Sequence, residues 1–200
     1  MKFKNGINKL RFFMSEQIIK KVDTTGNPGA LGLSGFGLAT LMLSFYNMGF
    51  FPENLSIIAM AIFVGGLVQL IAGFMAWKKG NTFETVAFTG FGVFWFSFAY
   101  ILIAPFGAAS AGDLSLGLYL MLWGIFGLGL FFGTLKMGVK ALVIVFALLV
   151  LTFFATAAGH FTLIPVVGVA AGFFALLLGA AALYTAMAII LNELGYKLPM

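Results

Sequence analysis

Six apolar runs, each close to or longer than the roughly 20 residues that cross a bilayer core of about 30 Å, leave this chain few folds to choose from. They extend from about Gly29 to Phe50, Leu55 to Trp77, Phe83 to Ala104, Leu114 to Leu135, Ala141 to Ala158 and Leu163 to Leu191. With 62% apolar and only 8% charged residues, the chain is expected to be an all-α integral membrane protein, its six transmembrane helices arranged as three hairpins. The punctuation between runs is short: Pro52-Glu53-Asn54, Lys78-Lys79-Gly80-Asn81, Pro105 to Asp113, Lys136 to Lys140, and Gly159-His160. No loop is long enough to hold a separate domain. The expected organisation is a basic N-terminal segment over residues 1–26, a six-helix domain over 27–193 and a short tail over 194–200.

The net charge of +5 suggests nucleic acid only until the charges are placed. Six of the eleven basic residues lie in the first 21, where Phe3, Ile7, Leu10, Met14 and Ile18 recur at helical spacing. That pattern reads either as a short amphipathic helix on an anionic leaflet or as a basic tail that enforces topology. It is not read as a cleaved signal peptide, because the apolar run that follows is too long. The others are Lys78 and Lys79, Lys136 and Lys140, and Lys197, so alternate loops carry all the positive charge. Both termini are therefore expected in the cytoplasm, and Glu53, Asp113 and His160 outside. The location is the cytoplasmic membrane, with lipid and not nucleic acid as the surrounding partner.

The first helix is predicted to start at Asn27-Pro28, since an asparagine side chain accepts an orphan N–H and proline has none to orphan. Gly29, Gly32 and Gly35 then leave one stripe nearly bare, open to another backbone or to a small solute. Phe36 stands among these glycines, nine residues beyond Asn27. Phe91 lies ten beyond Asn81 and Leu149 nine beyond Lys140. At about 1.5 Å per residue all three reach a depth of roughly 13 to 15 Å, near the midplane. Ser34-Gly35-Phe36-Gly37 and Thr89-Gly90-Phe91-Gly92 also share a local pattern. The two readings are a hydrophobic constriction of converging side chains, or ordinary packing in a chain with 25 phenylalanines.

No charge is expected inside any span, hence no buried acid or base to relay protons. The embedded polar residues include Thr40, Gln69, Thr89 and Tyr184, able to hydrogen-bond a small solute but not to hold a strongly charged one. Gln69 either glues helices or lines the path. Trp77, Tyr46 and Tyr119 read as interface anchors, His160 as a solvated loop residue, and Gly129-x-x-x-Gly133 and Gly168-x-x-x-Gly172 as packing notches. The absence of cysteine and the single histidine argue against a metal or other cofactor. No catalytic dyad is visible, so an enzyme is not expected.

The run Asn27-Pro28-x-x-x-Gly32-Leu33-x-Gly35-Phe36-Gly37 resembles the signature of the acetate uptake transporter family, the succinate-acetate permeases of bacteria and their fungal relatives. The likeness continues through Gly65-Gly66-x-x-Gln69-x-x-Ala72-Gly73, Lys79-Gly80-Asn81-Thr82-Phe83, Phe94-Trp95, Phe131-Phe132-Gly133-Thr134-Leu135-Lys136 and Leu191-Asn192-Glu193. This resemblance implies a six-helix protomer in a homo-hexamer, a path through each protomer, and transport of acetate or related short carboxylates such as succinate. Its phenylalanine, tyrosine and leucine constriction carries over to Phe36, Phe91 and Leu149, with Leu148 as the alternative for the last. Two departures stand out: Phe91 replaces the tyrosine, and Ala76 and Ile189 replace glutamates found in many relatives.

Substrate contacts are expected from Asn27, Gly32, Thr40, Gln69, Thr89 and Tyr184, with the solute's methyl end against the ring. A short carboxylic acid is almost fully ionised at neutral pH. An apolar ring would oppose that anion and admit the neutral acid more readily, unless glycine-exposed backbone and the positive end of the first helix, at Asn27 to Gly32, stabilise the charge. Three readings follow: a carrier coupled to protons, a passive anion channel, and a non-transporting membrane scaffold.

Overall fold

The three asparagines that precede α-helices in this sequence all cap them. In the computed structural model, which describes residues 25–103 and 111–200, Asn27 Oδ1 accepts from Gly29 N at 2.9 Å and Pro28 opens the first turn. Asn54 caps the next helix through Ser56 N, and Asn81 the third through Glu84 N at 3.1 Å. The helices so begun are α1 (Pro28–Asn47), α2 (Leu55–Lys78) and α3 (Thr82–Ile103); α4 (Asp113–Met137), α5 (Lys140–Thr162) and α6 (Pro165–Glu193) complete the six. Each is long and apolar enough to cross a membrane, and the protein is a multi-pass membrane protein. The basic segment over residues 1–26 lies outside the described residues except for its last two.

Each helix packs on the next and α6 returns to α1, giving a ring of six. Where backbones approach closely, glycine makes the room. A Cβ at Gly37 would stand 2.9 Å from Leu183 N and 3.0 Å from Gly179 O, and one at Gly179 only 2.9 Å from Leu41 N, so α1 and α6 meet backbone to backbone. The α3–α4 seam is the loosest in backbone terms and is filled by large side chains. Phe94 and Trp123 pack edge to face at 5.3 Å, and the Tyr119 hydroxyl bridges Ser97 Oγ at 2.6 Å and the Phe94 carbonyl at 3.2 Å. Tyr119 is thus an interhelical tie rather than the interface anchor its position suggested.

Within α2 the helix widens to π geometry over Met60–Leu67. Gly35 of α1 presses on this segment, where a Cβ would lie 2.6 Å from Val64 O, and the Trp95 ring of α3 presses on Gly65 from the other side. The outward faces carry Phe63, Phe74, Trp77, Phe132 and Phe173, all exposed as lipid contact requires. A Cβ at Gly129 or Gly168 would meet nothing within 4 Å, so of the two expected notches only Gly133, against the Phe83 ring, and Gly172, against Met48, need a bare glycine within the protomer.

An even number of crossings returns the chain to its starting face. Asn27 Nδ2 donates to Glu193 Oε1 at 3.1 Å, joining the beginning of α1 to the end of α6 beside Lys79 and Asn81 on the lysine-bearing face. At the opposite face α5 runs past its expected end through His160 to Thr162. It stops only where Leu163 turns left-handed at φ 57°, ahead of Pro165 in the first turn of α6.

Candidate functional site: two cavities and an aromatic plug

Phe36, Phe91 and Leu149, counted to one depth from three different helix starts, meet in the middle of the bundle and are each 5% exposed or less. The Phe36 and Phe91 rings lie 6.1 Å apart. Leu149 approaches from α5, seated in the gap left by Gly127 of α4, where a Cβ would be 2.4 Å from Leu149 Cδ2 and 3.9 Å from Phe91 Cζ. Phe91 is the hub: it stacks on Phe153 at 6.0 Å and meets Phe126 and Trp123 edge-on or tilted at 5.5 and 6.0 Å. Leu148, the alternative to Leu149, stays partly exposed beside the core.

A cavity lies on each side of this plug, and Phe36 lines both. The inner one, toward the lysine-bearing face, measures about 50 Å³ and is walled by Leu33, Phe88, Val145, Phe146 and Ile189, with Gln69 and Glu84 as its polar lining. A water occupies roughly 10 to 15 Å³ on this scale, so the space suits a few waters or one solute of a few heavy atoms. The outer cavity measures about 120 Å³ and is lined by Thr40, Trp95, Phe98, Thr152, Phe153 and His160 among others. Beyond each lies an open vestibule. Asn27, Lys79, Asn81, Glu84 and Glu193 surround the one on the lysine side; Asn47, His160 and Pro165 surround the other.

Buried polar atoms single out this path. Among the described residues three have no hydrogen-bond partner: Thr40 Oγ1, Gln69 Oε1 and Trp95 Nε1. All three residues line the cavities, Gln69 the inner and the other two the outer. Several other serine and threonine hydroxyls in the spans are satisfied within their own helix, as Ser34 donates to Ala30 O, Thr152 to Leu148 O, Thr156 to Thr152 O and Thr185 to Ala181 O. An unpaired buried polar group costs about 1 to 3 kcal/mol, so each of these residues carries a donor or acceptor that a partner would stabilise.

The remaining expected contacts do not reach the cavities. Gly32 seats the Phe88 ring, whose atoms would come within 2.6 Å of a Cβ there, so at Gly32 the bare stripe of α1 admits a neighbouring side chain, while Gly29 of the same stripe lines the inner cavity. Thr89 donates to Thr85 O at 2.6 Å and packs its methyl on Gly73. Tyr184 lies on the outside of α6, its hydroxyl donating to Pro199 O at 2.9 Å where the C-terminal tail folds back. Asn27 is at the vestibule, engaged by its cap and by Glu193.

Two titratable residues line the cavities against expectation: His160 read as a loop residue, and no charge was expected inside a span although Glu84 stands second in the run from Phe83. His160 is in the last turn of α5, not in a solvated loop; its Nδ1 pairs with Asp113 Oδ1 at 2.9 Å, beside the outer cavity. Glu84 is in the first turn of α3, inside a span where no charge was expected. The Asn81-x-x-Glu84 pattern is that of a capping box, in which the acid would reach back to the Asn81 N–H. That N–H instead donates to Ala76 O at 3.0 Å, and the Glu84 carboxylate lies against Gly29, at the boundary of vestibule and inner cavity.

The architecture has close counterparts. A solved structure described as the bacterial acetate channel SatP superposes with a TM-score of 0.86 and 41% identity, over 88% of this chain and 99% of that one. The succinate-acetate/proton symporter SatP of Escherichia coli is 44% identical over 169 residues, 84% of this chain and 89% of the relative. An uncharacterized protein of Methanothermobacter thermautotrophicus is 39% identical over 189 residues, 90% and 92% of the two lengths. Residues 13–196 match the GPR1/FUN34/yaaH family throughout, and the chain belongs to that family.

Proposed function

We propose that the protein moves acetate and related short carboxylic acids across the membrane along the axis joining the two cavities, and that the species crossing the plug is the protonated acid. The observation that carries this reading is the pair of cavities on either side of Phe36, Phe91 and Leu149, whose linings include all three residues that hold an unpartnered buried polar atom. Transport rather than catalysis fits a route with two mouths. The relatives named as a succinate-acetate/proton symporter, an acetate channel and, in Emericella nidulans, an acetate permease support the same substrate class.

The choice of protonation state rests on chemistry. The plug is wholly apolar, and the inner cavity has no basic residue among its lining. A carboxylate there would meet aromatic rings and the Glu84 side chain, with no cation to replace its hydration. The primary amide of Gln69 offers one donor and one acceptor side by side, the complement of a protonated carboxyl group, whereas an anion can use only the donor. On the outer side, Trp95 Nε1 and the Thr40 hydroxyl supply hydrogen bonds to an acid oxygen while its alkyl end rests on Phe36 and Phe153. Net movement of neutral acid equals movement of one proton with one anion, so the reading favours proton-coupled transport over a passive anion channel.

Orientation with the lysine-bearing face in the cytoplasm and assembly as a homo-hexamer extend the proposal; the alternating loop charges support the first, the family resemblance the second. The test is uptake of radiolabelled acetate into liposomes holding the purified protein. Saturable uptake above the protein-free leak, accelerated by an alkaline interior, is expected. A flux equal to that of empty liposomes would instead favour a membrane scaffold.

A further inference from the structure

We propose that Glu84 is the proton-exchanging group of this pathway, positioned to take the proton from each acid molecule that has crossed the plug and to release it into the vestibule on the lysine-bearing face. The inference rests on the reading that a short carboxylic acid crosses in its neutral form. Glu84 is the ionisable residue in the lining of the inner cavity, and it also lines the vestibule, so one carboxylate borders both the last dry compartment and the first wet one. It is half-buried, its backbone N–H is held by Asn81 Oδ1, and its side chain is not spent on the capping box that its position would ordinarily serve. Across the same cavity Gln69, 1% exposed, has an unpartnered amide oxygen that can accept from an acid's hydroxyl before that proton passes to Glu84.

The groups around Glu84 allow the exchange. From the α2–α3 turn Lys79 lines the same vestibule and interacts electrostatically with it; from the end of α6 comes Glu193, engaged by Asn27. The cavity lining from α1 is Gly29, Leu33 and Phe36, and that from α5 is Leu142, Val145, Phe146 and Leu149, none of them ionisable. No other acid competes for the proton inside. The step balances as neutral acid plus Glu84 carboxylate giving acid anion plus protonated Glu84. The anion leaves into a vestibule that holds Lys79, and Glu84 then yields its proton to water there. In reverse the same exchange loads an outgoing anion. Each cycle carries one proton with one carboxylate.

The experiment compares wild type, Glu84→Gln, Glu84→Ala and Glu84→Asp as full-length protein in liposomes, measuring labelled acetate uptake together with internal pH from a trapped dye. Wild type and Glu84→Asp are expected to take up one proton per acetate and to speed up when the interior is alkaline. Glu84→Gln and Glu84→Ala are expected to slow acetate uptake and the proton uptake that accompanies it together, by about tenfold or more, with the ratio of one proton per acetate retained. An infrared difference spectrum on acetate addition, with one carboxyl band absent from Glu84→Gln, gives a readout independent of flux. Wild-type rates of acetate and proton uptake in both neutral variants would overturn the assignment and leave the transport reading intact. A wild type with no acetate flux would overturn both.

Discussion

Gly127→Ala tests the plug with a single methyl group. The new Cβ would stand 2.4 Å from Leu149 Cδ2 and 3.9 Å from Phe91 Cζ, whereas two carbon atoms rest about 3.5 to 4.0 Å apart. Leu149 therefore has to shift its methyl by more than about 1 Å, away from α4 and toward Phe36. Overpacking a buried site of this kind costs about 1 to 3 kcal/mol. An acid passing the plug must push Leu149 back against the added methyl, so a penalty of that size reappears in the barrier and slows flux by about 5- to 150-fold. Truncation of Leu149 in the same protein relieves the clash, and the double variant Gly127→Ala/Leu149→Ala is expected to recover or exceed wild-type acetate uptake, a non-additivity measurable in a double-mutant cycle. Initial rates in liposomes, normalised to folded protein by size-exclusion chromatography, decide it. Unchanged uptake in Gly127→Ala alone would refute the placement of Leu149 in the path.

Phe36→Ala joins the two cavities: four-carbon acids are expected to gain on acetate in competition uptake, and the purified protein to lose about 3 to 5 kcal/mol of stability, read as a lower melting temperature in detergent. A competition profile like that of wild type would count against the plug. Thr40→Val keeps shape but removes an unpaired buried hydroxyl, so melting is expected unchanged or higher while acetate flux falls; the opposite pair of results would make Thr40 structural. Tyr119→Phe breaks the tie to Ser97 and the Phe94 carbonyl, costing about 1 kcal/mol by thermal melt without altering flux. Tyr184→Phe frees only the tail, and a substantial loss of acetate uptake there would return Tyr184 to the pathway.

Depth was readable from the sequence because helical rise is uniform and three helices start at one face behind Asn27, Asn81 and Lys140. Counting along them brought Phe36, Phe91 and Leu149 to one level, and in the structure all three line one cavity, the two rings 6.1 Å apart. Facing was not readable. Helices that are apolar all round carry no stripe to say which side is inward, so Thr40 and Trp95 turn into the outer cavity while Thr89 and Tyr184, equally polar, do not. Tyr184 is held by Pro199, a contact from the tail that no local pattern announces. Glu84 stands second in the run from Phe83, at the edge of a span, and the bond from the Asn81 N–H to Ala76 O that keeps its carboxylate out of a capping box is set by the turn before it and not by any local pattern. His160 was hidden by Gly159, which reads as a helix stop but is carried through to Thr162.

The measurement closest to the central proposal, passage of the neutral acid, is the charge moved per acetate. Protein-containing membranes are adsorbed on a solid support and an acetate concentration step is applied while current and labelled uptake are recorded together. Electroneutral uptake, with no current beyond that of protein-free membranes and a rate insensitive to imposed potential, is the expected result. A current of one negative charge per acetate, scaling with the potential and with protein content, would contradict it and mean that the anion itself passes between Phe36, Phe91 and Leu149.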